Sequence, residues 1–282
     1  MAIFTNQATL SYAGGTALSN VVVGEIQERV ALTKTAVEET YRAGGDNTFI
    51  ISMVNNTGRD LTNLTLRDNL GEYSGACARR TPQSYKAGSV RYYVNGILQA
   101  APEVSVSSHL SFSGISVPAN GNSMIAYAVH YNDYAPCGTG ASITNTVTLS
   151  GGGIGTPITA EETVTADSAP QLSIEKTLFP SVMEENDRVT YTFMIRNSGT
   201  RAATAQDDVE VHDTFDPVLN NISVRLNGTT LPAGQYSYNA FTGVFSTDEG
   251  VITVPAAEVR SGDDGRFSTV PGTTVLTVTG TV

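Results

Sequence analysis

Phe4-Thr5-Asn6-Gln7-Ala8-Thr9-Leu10-Ser11 and Ile143-Thr144-Asn145-Thr146-Val147-Thr148-Leu149-Ser150 are one stretch written twice. Five of the eight residues are identical and the apolar positions coincide. Each copy runs through glycines (Gly14-Gly15; Gly151-Gly152-Gly153) into a second β-like run, Ser19 to Ile26 or Ile158 to Ala166. After each comes the same domain start, Val30-Ala31-Leu32-Thr33-Lys34-Thr35 or Leu172-Ser173-Ile174-Glu175-Lys176-Thr177. The internal copy closes the domain before it. The N-terminal copy precedes the first domain, and the second domain reaches Val282 before any such segment recurs. A donor at one end and an unclosed domain at the other predict head-to-tail joining of copies.

Working outward, the rest of the chain repeats with a period of about 140 residues. Thr48 to Gly58 matches Val189 to Gly199, and both end in turn chemistry, Asn56-Thr57-Gly58 and Asn197-Ser198-Gly199. Leu64-Thr65-Leu66-Arg67-Asp68-Asn69-Leu70 matches Val209-Glu210-Val211-His212-Asp213-Thr214-Phe215. Val90 to Gly96 matches Ile222 to Gly228, Ile115-Ser116-Val117-Pro118 matches Ile252-Thr253-Val254-Pro255, and Met124 to Val129 matches Val275 to Thr279. Short alternating runs broken by Gly, Pro, Asn and Asp, with no sustained helical spacing, predict an all-β protein. Its parts are an extended arm over 1–28, a first sandwich over 29–167, and a second over 168–282 that lacks its closing strands. A sandwich so truncated exposes core side chains and a sheet edge, which another strand can fill.

Composition excludes several functions. The 16 basic and 27 acidic residues give a net charge of −11, which opposes nucleic acid and anionic membranes. No apolar run approaches the roughly 20 residues of a membrane span. The start, Met1 to Asn6, has neither the basic nor the apolar region of a secretory signal. His109, His130 and His212 show no metal-ligand spacing. No nucleophile elbow, phosphate loop or dinucleotide fingerprint occurs. No metal, cofactor or enzymatic activity on another molecule is therefore expected. Cys77 and Cys137 fall in one domain, as a disulfide or as two free thiols. Tyr92, Tyr93, Tyr127, Tyr131 and Tyr134 are expected near strand ends, in core or edge packing.

The ordered motifs Leu32-Thr33-Lys34-Thr35 and Ile174-Glu175-Lys176-Thr177, Leu66-Arg67-Asp68-Asn69-Leu70 and Val211-His212-Asp213-Thr214-Phe215, and Ile143-Thr144-Asn145-Thr146-Val147 resemble the bacterial surface repeat known as domain of unknown function 11. The resemblance covers nearly the whole chain. It implies tandem immunoglobulin-like sandwiches on extracellular or envelope-associated proteins, without enzyme activity. With no classical signal, a pilus or a spore appendage freed by lysis is expected.

Strand parity places three residue types on inward faces. Lys34 shares a face with Val30 and Leu32, Asp68 with Leu64, Leu66 and Leu70, and Asn145 with Ile143, Val147 and Leu149. In the second domain Lys176 and Asp213 repeat the first two sets, and the arm supplies the third as Phe4, Asn6, Ala8 and Leu10. A lone inward Lys or Asp is costly unless paired. One chemistry joins the three. A desolvated lysine attacks the asparagine carbonyl, the carboxyl group shuttles protons, and ammonia leaves. That predicts intramolecular Lys34–Asn145 with Asp68, and intermolecular Lys176–Asn6 with Asp213, resembling the isopeptide bonds of Gram-positive pilins and adhesins. A buried polar cluster, or unrelated surface positions, are the alternatives. The functional expectation is a subunit of an extracellular homopolymeric fibre. The alternative is a monomeric surface stalk or adhesin whose arm folds back on its own chain.

Overall fold

The computed structural model describes residues 2–26, 30–75 and 78–282. Among these the chain is all-β, with two single-turn 3-10 segments and no α-helix. Residues 30–166 form a two-layer sandwich. One sheet has the order Ile97–Gln99, Arg91–Val94, Asn122–Tyr131, Asp46–Asn55, Val30–Ala36, with Gln83–Tyr85 also on the Asn122–Tyr131 strand. The other has the order Glu103–Val106, Leu110–Val117, Leu61–Asp68, Ser142–Gly151, Ile158–Ala166, Thr40–Tyr41. Period-two alternation sends Phe49, Ile51 and Met53 from one layer, and Leu64, Leu66, Val147 and Leu149 from the other, into a common core.

The last two long strands, Ser142–Gly151 and Ile158–Ala166, are the closing hairpin. Asn145 stands opposite Glu162 and Leu149 opposite Ile158. Its first strand lies along Leu61–Asp68, with Val147 opposite Asp68 and Leu149 opposite Leu66. Its second strand packs against Val30–Ala36. The hairpin thus seals the seam where the two layers meet.

The second domain repeats part of this design. One sheet has the order Leu172–Phe179, Arg188–Asn197, Gly272–Thr281, Asn220–Leu226, Thr229–Thr230, and the other His212–Thr214, Val244–Thr247, Tyr236–Tyr238. Lys34 faces Ile51 across its ladder as Lys176 faces Phe193. Asp68 faces Leu110 as Asp213 faces Phe245. Residues 168–282 contain no counterpart of the closing hairpin. His212–Thr214 is therefore paired on one side only, by Val244–Thr247. Parity predicted that Leu172 and Ile174 face inward. They are 41% and 57% exposed, against 5% for Val30, because no second layer covers that strand.

The arm is that hairpin, standing alone. Ala2–Asn6 pairs with Val22–Ile26, and Thr9–Tyr12 with Gly15–Leu18. Asn6 stands opposite Val22, as Asn145 stands opposite Glu162. Phe4, Leu10 and Leu18 are 53%, 66% and 69% exposed. Where the closing hairpin sets Ile143 against Val164, the arm sets Phe4 against Gly24. A Cβ on Gly24 would fall 2.4 Å from Phe4 Cζ, so the bulk of the pair has moved to one strand.

Asn55, rather than the Asn56 of the sequence match, is the counterpart of Asn197, since Val30 pairs with Asn55 as Leu172 pairs with Asn197, and the two turns share one device. Asn55 Nδ2 donates to the carbonyls of Arg59 and Pro118, while Asn55 Oδ1 accepts from Thr57 N. Asn197 Nδ2 donates to Arg201 and Pro255, and Asn197 Oδ1 accepts from Gly199 N. Both side chains are fully buried. Replacing either by alanine leaves these backbone groups unpaired. A loss of about 2–4 kcal/mol is expected at each site, read as a fall in the melting temperature of that domain alone.

One element is new to the second domain. After Val117-Pro118 the first domain turns tightly into Asn122–Tyr131. After Val254-Pro255 the chain instead makes a hairpin, Glu258–Ser261 with Phe267–Val270, before Gly272. The hairpin reaches back to the first domain. Phe267 N donates to Asp133 O at 2.7 Å, and the Arg266 guanidinium sits 5.7 Å from the Tyr134 ring centroid. Tyr92, Tyr127 and Tyr131 are buried in the first core, while Tyr134 lies between Arg80 and Arg266. Cys77 falls outside the described residues, so its pairing with Cys137 does too. Cys137 is half-buried beside Tyr41 and Gly138.

Candidate functional site

The sealed seam of the first domain holds a buried polar cluster. Lys34 and Asp68 have fully buried side chains and form an ion pair between the two layers. The Tyr127 hydroxyl joins both. It accepts from Lys34 Nζ at 2.9 Å and donates to Asp68 Oδ2 at 2.5 Å. Lys34 Nζ also lies 4.8 Å from the Phe49 ring centroid. Asp68 Oδ1 accepts from Leu70 N at 2.8 Å, which fixes the carboxylate's other oxygen.

Burial sets the electrostatics. It pushes the Lys34 ammonium below its ordinary pKa, although Asp68 and, more weakly, Glu162 pull the other way. Burial, reinforced by Asp68, raises the Tyr127 phenol well above its usual range, while the Asn145 amide acts in the opposite sense. Tyr127 is therefore a neutral donor and acceptor at any physiological pH.

Asn145 is fully buried on the closing hairpin. Its Nδ2 donates to Gln83 Oε1 at 2.7 Å. Its Oδ1 is buried and accepts no hydrogen bond, and Gln83 Nε2 donates none. A buried amide oxygen without a partner is unusual in a folded protein. The cluster thus contains an amine with depressed basicity, a carboxylate bonded to it, and an amide with an unengaged carbonyl.

The second domain holds half of this arrangement. Lys176 Nζ is 2.5 Å from Asp213 Oδ2, with the lysine side chain 40% exposed. That oxygen, buried itself, has no aligned hydrogen bond, so the contact is an ion pair only. Lys176 Nζ lies over Tyr191, Phe215 and Phe193 at 4.7, 5.5 and 5.6 Å from their centroids. Ladder register sets Val278 in the second domain where the first has Tyr127. No asparagine of the second domain joins the pair, and Asn6 sits on the exposed arm, apart from Lys176. The lysines, aspartates and Asn145 were marked by parity. Gln83 was not, because a three-residue strand offers no pattern. Tyr127 was seen as packing, although its parity with Ile125 and Val129 points it at Lys34.

Other sequence candidates fall elsewhere. His109, His130 and His212 lie apart on the surface, beside Arg67, Asp46 and Glu210. Two acidic loop residues are engaged locally: Asp207 pairs with Arg201, and Asp264 Oδ1 caps the turn at Arg266 N. Among the described residues no helix is long and apolar enough to cross a membrane.

No protein-family model matches the chain, and no curated protein matches its sequence. Solved structures resemble it at low identity, among them several bacterial surface proteins and a transglutaminase. The chain is similar to the major pilin subunit of Bacillus cereus, at 9% identity over 96% of this chain and 73% of that one, with a TM-score of 0.37. It is similar to the pilus backbone protein of Streptococcus pneumoniae, at 9% identity over 86% and 55%, with a TM-score of 0.34. It is also similar to the collagen-binding subdomain of Enterococcus faecalis surface protein ACE, at 8% identity over 51% and 99%, with a TM-score of 0.31.

Proposed function

We propose that the chain is the structural subunit of a self-assembling extracellular fibre, in which the arm hairpin of one copy closes the second domain of the next. One observation carries this reading. The arm repeats the closing hairpin in sequence, and its outer ladder pairs Asn6 with Val22 as the hairpin pairs Asn145 with Glu162. Its own first domain already holds that hairpin, and the second domain has the matching seam open.

In the closed register Ala8 lies opposite Asp213 and Leu10 opposite Val211, as Val147 and Leu149 lie opposite Asp68 and Leu66. Asn6 then lies opposite Phe215 and enters the Lys176–Asp213 pair. Covering exposed apolar side chains at ~1.5–3 kcal/mol each offsets much of the cost of association, and the edge ladder of His212–Thr214 gains its missing partner. An interface between two different surfaces of one chain does not close on itself, so it grows a filament. Lys34–Asn145 bonds within each subunit, and Lys176–Asn6 bonds between subunits, would lock the fibre covalently.

A synthetic peptide of residues 1–28 tests the docking step. It is expected to bind a chain that starts at Val30 with submicromolar affinity and to raise the melting temperature of the second domain. The same peptide with Leu10→Asp should do neither. Equal behaviour of the two peptides would overturn the reading.

A further inference from the structure

We propose that Tyr127 and Gln83 are catalytic residues of the first-domain crosslinking reaction, Tyr127 as the proton carrier and Gln83 as the holder of the leaving amide. This inference rests on the reading that Lys34 and Asn145 join, and it explains why the two domains differ.

The geometry is specific. The Tyr127 hydroxyl touches the attacking nitrogen, Lys34 Nζ, at 2.9 Å and the carboxylate, Asp68 Oδ2, at 2.5 Å. Gln83 Oε1 touches the nitrogen that must leave, Asn145 Nδ2, at 2.7 Å. That contact fixes the amide plane and leaves Asn145 Oδ1 unengaged, free to take a proton as negative charge develops on it.

Asp68 takes one proton from the Lys34 ammonium, leaving a neutral amine. Nζ forms a bond to Asn145 Cγ, and the protonated carboxyl group supplies a proton to Oδ1. As the carbonyl re-forms, Oδ1 returns its proton to Asp68, which hands it to Nδ2 as the Cγ–Nδ2 bond breaks. Nδ2 carries away the two protons shed by Nζ, one through Asp68 and one through the Tyr127 hydroxyl, which passes a proton on while gaining another. The amine and the amide become a secondary amide and ammonium, and Asp68 ends as it began, a carboxylate. Gln83 Oε1 accepts from Nδ2 until it departs.

The second domain has Val278 at the tyrosine position, and among the described residues no glutamine stands beside Lys176 and Asp213. The first-domain bond is therefore built to form during folding. The bond between chains is left slower, waiting for the arm to bring Asn6.

The test uses the full chain carrying Lys176→Ala, so that only the first-domain bond can form. The chain is made in a cell-free reaction. Timed samples are read by intact mass for loss of one ammonia, and by protease resistance for folding. Lys34→Ala serves as the blank. Tyr127→Phe is expected to become protease-resistant on the parent time course and to lose ammonia roughly 100-fold more slowly. Gln83→Met should slow ammonia loss roughly tenfold. Ammonia loss at the parent rate in both variants, or a slowing that tracks slower folding, would overturn these roles while the bond itself stood. If Tyr127→Phe fails to fold, Gln83→Met alone decides between the same two results. A parent chain that keeps its full mass overturns the bond, and these roles with it.

Discussion

Deleting residues 1–29 abolishes filaments: this is the expected result of comparing a chain that starts at Val30 with the full chain by electron microscopy and sedimentation. The effect should be all-or-none. The two hydrophobic cores are drawn from residues 30–166 and 183–282, outside the deleted segment. Both domains should therefore melt as they do in the unassembled full chain. What is lost is the copy of the closing hairpin that the first domain does not itself use. Leu10→Asp in the full chain should act almost as strongly, since it places a charge opposite Val211, which is 5% exposed and inward-facing. Filaments grown from the Val30 chain would remove the arm from the account altogether.

The second large effect concerns the buried cluster. Lys34→Ala strands Asp68, whose side chain is fully buried, with Tyr127 and the Leu70 amide as its remaining partners. Removing one member of a buried pair costs about 3–5 kcal/mol, or roughly 10–20 °C in the Tm of a domain this size. The chain should also regain the mass of one ammonia. The double variant Lys34→Met with Asp68→Leu separates the two contributions. Apolar replacement of a whole buried pair is often neutral or stabilising. If the pair were only structural, the double variant should melt at or above the parent. If the parent carries a covalent bond across the seam, the double variant should recover part of the loss and still fall short.

The repeat made most of this fold legible. Five identities in eight residues identified the closing hairpin and its free copy, and the arm's pairing of Asn6 with Val22 repeats the internal pairing of Asn145 with Glu162. Parity brought Lys34 and Asp68 to one seam from strands 34 positions apart, because both lie in long runs with an unbroken alternation. It could not show that Leu172 and Ile174 would stand in solvent, since exposure depends on the layer above and not on the strand itself. Gln83 was invisible for a related reason. It acts from a three-residue strand beside Tyr131 whose position depends on the whole sheet. The hairpin inserted after Pro255 was legible as extra length, sixteen residues between Pro255 and Gly272 against two between Pro118 and Gly121. Its docking on Asp133 and Tyr134 was not, because that contact joins two domains with no shared pattern.

The register of arm docking tests the central claim most directly. In the first domain Thr148 stands opposite Arg67 with both side chains facing outward; the corresponding pair between chains is Thr9 and His212. In a background with Cys77 and Cys137 replaced by serine, one chain carries Thr9→Cys and a second carries His212→Cys. Directly opposed positions on antiparallel strands lie within disulfide reach, and positions two residues away do not. The mixed chains are gently oxidised and run on a non-reducing gel. The account expects a covalent heterodimer in high yield, and little when Ser11→Cys replaces Thr9→Cys. Equal yields from the two positions, or no heterodimer at all, would contradict closure of one chain's second domain by the arm of another.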